Sequence, residues 1–160
     1  MDFVKQRLAD FSSLSFSFFV GKSSNTARKV LMVRFEGATG SGCSNNGDAT
    51  FMTAIVAAGL KAWEPSGLIL DLRELSYSWG DLMVMPFCVH PDLTIREQLV
   101  PFPTVAVISD LNRVGMTSLV KDEMLADPDS ILFDSVDDAA AEIERQLENI
   151  VRLIRGSSLS

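Results

Sequence analysis

The stretch LILDLRELSYSWGDL, residues 68–82, decides the fold of this chain. It opens as a continuous apolar run that contains a single acid, Asp71, which is typical of a strand covered on both faces. The run then breaks at Trp79-Gly80-Asp81, where glycine permits backbone conformations that other residues resist. In a parallel α/β sheet, functional groups collect outside the carboxyl ends of the strands. Three interpretations of the break are therefore open: it holds a catalytic acid, it presents a modification site, or it only turns the chain.

Outward from this strand, hydrophobic periodicity predicts strands that alternate with helices. A period of two in LSFSFFV indicates a half-buried strand that pairs with the next strand as an antiparallel hairpin. The last segment has the clearest helical stripe, and Ser135 with Asp138 forms a capping box at its start. The predicted strands are 14–20, 29–37, 68–72, 101–109 and 130–133. The predicted helices are 49–63 with Asp48 as its cap, a brief or broken helix after Asp81, 110–125 with Asp110 or Asn112 as its cap, and a final helix after Ser135.

This order of elements predicts an α/β layered fold. Alternating strands and helices need crossover connections, so the sheet should be mixed but mainly parallel, with an N-terminal antiparallel hairpin and about four helices. A single domain is predicted over residues 14–155. It follows an N-terminal extension, 1–13, whose spacing is helical over 2–11, and it precedes a flexible tail, 156–160.

Composition and charge exclude several classes of function. The chain has 160 residues and a net charge of −7, which disfavours a nucleic-acid partner because binding the phosphate backbone needs a basic face. No apolar run approaches the length of about 18 residues that a membrane-spanning helix needs. Two cysteines are too few for a disulfide framework and fit a reducing compartment, so a cytoplasmic location is expected.

Two other patterns suggest chemistry but lack a necessary residue. The loop GATGSGCS, 37–44, has the glycine spacing of a Walker A loop, yet Cys43 stands where the phosphate-binding lysine belongs. The single histidine, His90, lies two residues from Cys88, and a nucleophile and its base usually come from different elements. Two cysteines and one histidine give no convincing fourth ligand for a structural zinc site. A flexible loop and a loop histidine are therefore the favoured interpretations, and no cofactor or metal is expected.

The stretch DLRELSYSWGDL, which begins at Asp71, resembles a motif of the STAS family, the domain shared by sulphate transporters and bacterial anti-sigma factor antagonists. That motif is a strand ending in D-L-s-x-v-x-f-x-D-S-S-G, followed by a helix. Residues 105–143 are similar to the family's next strand, asparagine-led helix and closing helix, and the resemblance spans residues 14–148. It implies the STAS fold.

The resemblance also implies a function. Trp79, Gly80 and Asp81 stand in the places of the family's Asp-Ser-Ser, and in the antagonists the second serine is phosphorylated by a partner kinase. An aspartate carries about one negative charge where phosphoserine carries nearly two. The implied function is that of a non-enzymatic regulatory or protein-interaction domain in a bacterial signalling or sigma-factor-type pathway, with a kinase or anti-sigma factor type of partner. The partner-binding residues implied are Ser78, Trp79, Gly80, Asp81, Leu82, Asn112 and Arg113.

Two alternatives remain open. The segments GLILDLRELSYSWGDL and PFPTVAVIS are also similar to the crotonase and ClpP-type fold, which implies an enzyme, or a degenerate enzyme, that acts on an acyl substrate. That hypothesis needs backbone amides that converge on a pocket holding Asp81 or His90. Separately, the apolar stripe of the final helix continues to Ile154. It therefore predicts either a longer helix on its own sheet or a homodimer through this helix.

Overall fold

The computed structural model describes residues 1–40, 42, 46–95 and 97–156. Cys43 and Ser44 of the Walker-like loop, and the tail after Gly156, lie outside the described residues. The strands are β1 (Ser15–Lys22), β2 (Lys29–Ala38), β3 (Gly67–Ser76), β4 (Leu93–Ile95), β5 (Gln98–Val100), β6 (Thr104–Val107) and β7 (Leu132–Phe133). The helices are α1 (Asn46–Trp63), α2 (Arg113–Asp122) and α3 (Val136–Arg155), with short 3₁₀ helices at Leu8–Asp10, Asp81–Cys88 and Pro128–Ser130.

The main sheet has five strands in the order β1-β2-β3-β6-β7. β1 and β2 pair antiparallel as the predicted hairpin, and the other neighbours in this sheet pair parallel. The mixed, mainly parallel α/β fold predicted from the sequence is therefore confirmed. β3 lies at the centre, and its first six residues are all buried, which accounts for the continuous apolar run.

The sheet separates two apolar cores of unequal size. Because side chains alternate along a strand, Leu70 and Leu72 of β3 point into the larger core with α1 and α2, while Ile69 points into the smaller core under α3. α3 begins as predicted, since the Ser135 hydroxyl accepts a hydrogen bond from the Asp138 amide at 3.1 Å. The stripe of α3 buries Ile143, Leu147 and Ile150, whereas Ile154 is about half exposed.

Two predicted elements differ from the structure, and a third, the brief or broken helix after Asp81, is present. Of the helix expected over 2–11, the structure contains only the 3₁₀ turn Leu8–Asp10. Asp48 is not the cap of α1 but lies inside its first turn, where its carboxylate accepts hydrogen bonds from the Ser12 hydroxyl (2.6 Å) and the Gly40 amide (2.9 Å). The broken helix expected after Asp81 is the 3₁₀ helix, which contains Pro86 and so lacks one backbone donor.

A small antiparallel hairpin, β4–β5, follows that 3₁₀ helix and forms a separate two-stranded sheet. Nothing in the sequence pattern predicted it, because each of its strands has only three residues. Within the described residues, no helix is long and apolar enough to cross a membrane.

Candidate partner-binding surface

Asp71 lies midway along β3, opposite the last residue of β6, and is fully buried. Its carboxylate accepts hydrogen bonds from Arg34 Nε at 2.8 Å and from Arg73 Nε and a terminal guanidinium nitrogen, both at 2.9 Å. Burial by itself raises the pKa of this carboxyl, but the hydrogen bonds from Arg73 and Arg34 outweigh it, so the pKa lies below its ordinary value. Asp71 is thus held ionised between two arginines, an arrangement that stabilises β3 and does not suit a catalytic acid.

The turn after β3 is anchored by Tyr77. Its ring is buried, and its hydroxyl donates a hydrogen bond to the Gly80 carbonyl at 3.1 Å. Burial, followed by the charge of Asp81, raises the pKa of Tyr77 to about 12. Gly80 has a φ of +149°, a conformation that side-chain-bearing residues rarely adopt, and this explains why glycine stands at the break. The chain therefore leaves the sheet along a fixed path that ends with Asp81 exposed at the start of the 3₁₀ helix.

Asn112 ties this turn to the start of α2. It occupies the cap position, but its side chain does not cap the helix. Instead, its amide nitrogen donates to the carbonyl oxygens of Leu72 (2.6 Å) and Leu75 (2.9 Å), and its amide oxygen accepts from the Ser109 backbone amide at 3.1 Å. Because Asn112 is only 2% exposed, it can affect a partner only by holding its neighbours in place.

α2 approaches the turn very closely at Gly115. A β-carbon added there would lie 2.4 Å from the carbonyl oxygen of Ser78 and 2.9 Å from the ring of Tyr77. Real β-carbons do not come so near to backbone atoms, so only glycine allows this contact. The position of the turn and the position of α2 are therefore fixed together.

We expect Gly115→Ala to lower the free energy of unfolding by about 1–3 kcal/mol, because the added methyl group forces α2 away from Ser78. Alanine is intrinsically the better helix former by about 1 kcal/mol, so a loss of stability identifies the steric contact. Urea denaturation measures the change. Gly21→Ala is the matched control, since nothing lies within 4 Å of the β-carbon added there. Equal stability of Gly115→Ala and the wild type contradicts the close approach.

The loop before α1 also reaches this turn. Gly42, with a φ of +58°, donates its backbone amide to the Trp79 carbonyl at 3.3 Å. A β-carbon on Gly42 would lie 2.8 Å from the indole ring of Trp79. In the structure, the described part of the loop that resembled a phosphate-binding motif therefore supports the Trp79 side chain.

Large apolar side chains are exposed on three segments that meet at this turn. Trp79, on the turn itself, is 60% exposed, and Val114, at the start of α2, is 85% exposed. Tyr77 and the start of α2 are joined by the hydrogen bond from the Tyr77 amide to the Leu111 carbonyl. The exposed apolar residues are Trp79, Leu82, Met85, Leu111 and Val114, and we call this set the β3-exit surface. Because exposed apolar residues that lie together mark interaction sites, this set is the candidate protein-binding surface.

Carboxylates lie beside the β3-exit surface. A small cavity of about 140 Å³ separates the turn from α2, and Asp81, Asp122 and Glu123 line it. Arg113, a predicted site residue, lies near the start of α2 and pairs with Asp134 at 2.8 Å and with Asp110 at 3.5 Å. This side of the β3-exit surface is therefore mainly acidic.

The predicted site residues divide into two groups in the structure. Ser78, Trp79, Asp81, Leu82 and Arg113 are exposed, while Gly80 and Asn112 are buried and hold the turn. The β3-exit surface also contains Met85, Leu111 and Val114, which the sequence did not suggest. Each is an apolar residue on the solvent-facing side of a helix or turn. The sequence alone does not identify such residues, because it does not show which side of the element is buried.

His90 belongs to a different part of the molecule. Its ring stacks on Phe102 with 3.9 Å between the ring centroids, and the two residues line a cavity of about 740 Å³ between the 3₁₀ helix region and α3. Asp81 lines the small cavity beside α2 instead. Asp81 and His90 therefore line separate cavities and are not assembled into one site. Among the described residues, no three acidic, histidine or cysteine side chains cluster as metal ligands.

Comparison with solved structures identifies a similar fold. A chain described as an anti-sigma factor antagonist from Mycobacterium paratuberculosis has a TM-score of 0.50 with this structure and 15% sequence identity, and the match covers 81% of this chain and 94% of that chain. By sequence, no family model matches the chain, and a search of curated proteins finds no match. The structural likeness confirms the predicted STAS-like fold.

Proposed function

We propose that this chain is a non-enzymatic, STAS-like regulatory domain that binds a protein partner through the β3-exit surface. The observation that carries the proposal is the exposure of Trp79, Leu82, Met85, Leu111 and Val114 at the carboxyl end of β3. Aromatic residues and methionine are enriched in protein interfaces, and a large exposed tryptophan is a frequent source of binding energy. The similar fold of an anti-sigma factor antagonist supports a partner of the kinase or anti-sigma factor type.

In this proposal Asp81 supplies a permanent charge. It stands where the resemblance places the phosphorylatable serine, and it is exposed at the edge of the β3-exit surface. A carboxylate cannot be phosphorylated to a stable ester, and its charge of about −1 differs from that of phosphoserine, about −2. Binding is therefore constitutive rather than switched by a kinase, and the domain acts in the cytoplasm of a bacterial signalling pathway.

The acidic side of the β3-exit surface sets the chemistry of the partner. Asp81, Asp122 and Glu123 favour a surface with an apolar centre and basic residues beside it. Opposite charges across an interface raise the association rate and are screened by salt. Association should accordingly slow as salt is added, whereas the apolar contact of Trp79 should mainly limit dissociation.

We expect Trp79→Ala and Asp81→Lys each to weaken binding of a purified anti-sigma factor of the same bacterium by about tenfold or more, equal to about 1.4 kcal/mol. Titration calorimetry with the wild type and both variants measures this. Leu99→Ala is the matched apolar control. Leu99 is exposed on the β4–β5 hairpin, before the amino end of β6, whereas the β3-exit surface follows the carboxyl ends of β3 and β6. Thermal unfolding verifies that each variant is folded.

The two variants separate the parts of the proposal. If neither variant changes the affinity of an anti-sigma factor that the wild type binds, the β3-exit surface is not the binding site. If Trp79→Ala weakens binding and Asp81→Lys does not, the apolar contact stands and the role of the charge is wrong.

A further inference from the structure

β1 forms one edge of the main sheet, and its outer side is open. β1 is eight residues long and is last in the strand order, with only β2 beside it. In the part of the chain that the structure describes, no other strand pairs with it. Phe16, Phe19 and Val20 are each between 40% and 45% exposed. The opposite edge, β7, has only two residues, so β1 is the edge that offers a long row of backbone groups.

The direction of those backbone groups follows from the hairpin. The Ser23 amide donates to the Arg28 carbonyl at 2.8 Å, and the register continues without a shift from Lys22 opposite Lys29 to Ser15 opposite Glu36. In an antiparallel pair, successive residues point their backbone groups alternately toward and away from the neighbouring strand. The odd-numbered residues of β1 therefore bond to β2. Phe16, Phe18 and Val20 direct their N–H and C=O groups outward to solvent, where they form a template for pairing with another strand.

β1 also lacks the features by which exposed edges are normally protected. Natural edge strands carry charges, proline or a bulge that prevent pairing with another chain. Ser15–Gly21 contains no charged residue and no proline, and Lys22 is the first charge, at the very end of the strand. Phe16 and Phe18 further pack edge-to-face with a centroid distance of 5.4 Å, which holds an aromatic surface beside the open edge.

We propose that β1 pairs antiparallel with β1 of a second copy of this chain, across a two-fold axis at Phe18, and so joins two sheets into one. In this register Phe18 lies opposite Phe18 of the second copy, and Phe16 lies opposite its Val20. All the outward N–H and C=O groups of these residues then find partners, and the exposed Phe16 and Val20 side chains cover each other on the α1 side of the sheet. A single self-complementary patch of this kind is what a two-fold dimer requires.

Charge selects a second copy in this orientation. The net charge of −7 opposes association of most faces of two copies, but the edge Ser15–Gly21 is uncharged. An antiparallel arrangement places the two Lys22 residues at opposite ends of the shared ladder, about eight residues or 27 Å apart at 3.4 Å per residue. Like charges are therefore well separated, whereas parallel pairing would set them side by side. The edge shares no residue with the β3-exit surface, so this dimer is independent of the proposed function.

Val20→Lys tests the dimer, because a charge on an open edge is the usual protection against pairing. Sedimentation equilibrium of the wild type should show a monomer–dimer equilibrium, and Val20→Lys should weaken it by about tenfold or more, equal to about 1.4 kcal/mol. Leu99→Lys is the matched control, because the same charge on a more exposed apolar residue of another strand, away from the β1 edge, should leave the dimer unchanged.

Amide hydrogen exchange supplies a second, residue-level measurement. As the concentration of the wild type rises, exchange at Phe16, Phe18 and Val20 should slow, while Ser17 and Phe19, which bond to β2, should not change. A wild type that stays monomeric at all concentrations overturns the proposal. So does a dimer that survives Val20→Lys but is lost in Leu153→Lys, which would place the interface on α3. Protection of Phe16, Phe18 and Val20 in the monomer also overturns it, because the edge is then covered by the chain's own N-terminal segment.

Discussion

The Asn112→Asp variant should lose about 3–4 kcal/mol of unfolding free energy at neutral pH, although the change replaces only an amide group by a carboxylate of the same shape. The Asn112 amide nitrogen donates to the carbonyls of Leu72 and Leu75. A carboxylate oxygen in its place donates nothing and faces both carbonyls with like charge. Each unsatisfied buried acceptor costs about 1–3 kcal/mol, and the buried charge adds to that.

The pH dependence of this loss distinguishes the mechanism from a general packing defect. In the folded variant, burial and the two facing carbonyls raise the pKa of the introduced carboxyl above its value in the unfolded chain. The destabilisation is therefore complete at pH values above this raised pKa. As the pH falls below it, the carboxyl is protonated and donates a hydrogen bond to one of the carbonyls, so the destabilisation becomes smaller. A packing defect shows no such recovery.

Urea denaturation of the wild type and the variant across neutral and acidic pH gives the measurement. Asn149→Asp, on the exposed side of α3, is the matched control and should change stability by no more than about 0.5 kcal/mol. Asn112→Asp with wild-type stability at neutral pH would show that Asn112 does not hold the end of β3 to the start of α2.

The parts of the fold that depend on local patterns were predictable. The buried run of β3 and the stripe of α3 each record how one element meets the core, and both appear in the structure within a few residues. The alternation in β1 predicted a strand correctly but not its half-buried character, because every residue of β1 except Phe18 is exposed. The β4–β5 hairpin was not predictable, because a strand of three residues is shorter than any period that a pattern can show.

The chemistry of the candidate site was predictable in position but not in detail. Gly80 marked the turn correctly because its positive φ is a local requirement. The role of Asn112 depends on Leu72, which lies 40 residues away in sequence, so its side chain was assigned to a helix cap instead. The exposed positions of Leu111 and Val114 likewise depend on how α2 packs, and helix periodicity alone does not reveal this.

Asp71→Asn should lower the free energy of unfolding by about 3 kcal/mol, the lower end of the loss of about 3–5 kcal/mol expected when one member of a buried ion pair is removed. The substitution keeps the shape of the side chain but removes the negative charge that neutralises Arg34 and Arg73. The new NH₂ group is a hydrogen-bond donor, and it faces one of these arginines, which also has only donors. The side chains of these arginines are 31% and 38% exposed, so both can recover part of their hydration, which keeps the loss at the lower end.

The wild type itself should lose this contribution in acid. The pKa of Asp71 is lower in the folded chain than in the unfolded one, so the stabilisation is complete above the unfolded pKa of about 3.9 and is lost as the pH falls through the folded value. Because the asparagine variant has no such group, the difference in stability between the two proteins should narrow below about pH 4. Urea denaturation over this range measures the difference.

Asp10→Asn is the matched control, because it removes an arginine–aspartate pair of similar geometry from the surface. Arg7 and Asp10 pair at 2.8 Å with side chains 73% and 42% exposed. Exposed pairs contribute at most about 1 kcal/mol, so this control should change stability several times less than Asp71→Asn. Equal effects of the two substitutions would mean that Asp71 is not desolvated between its arginines.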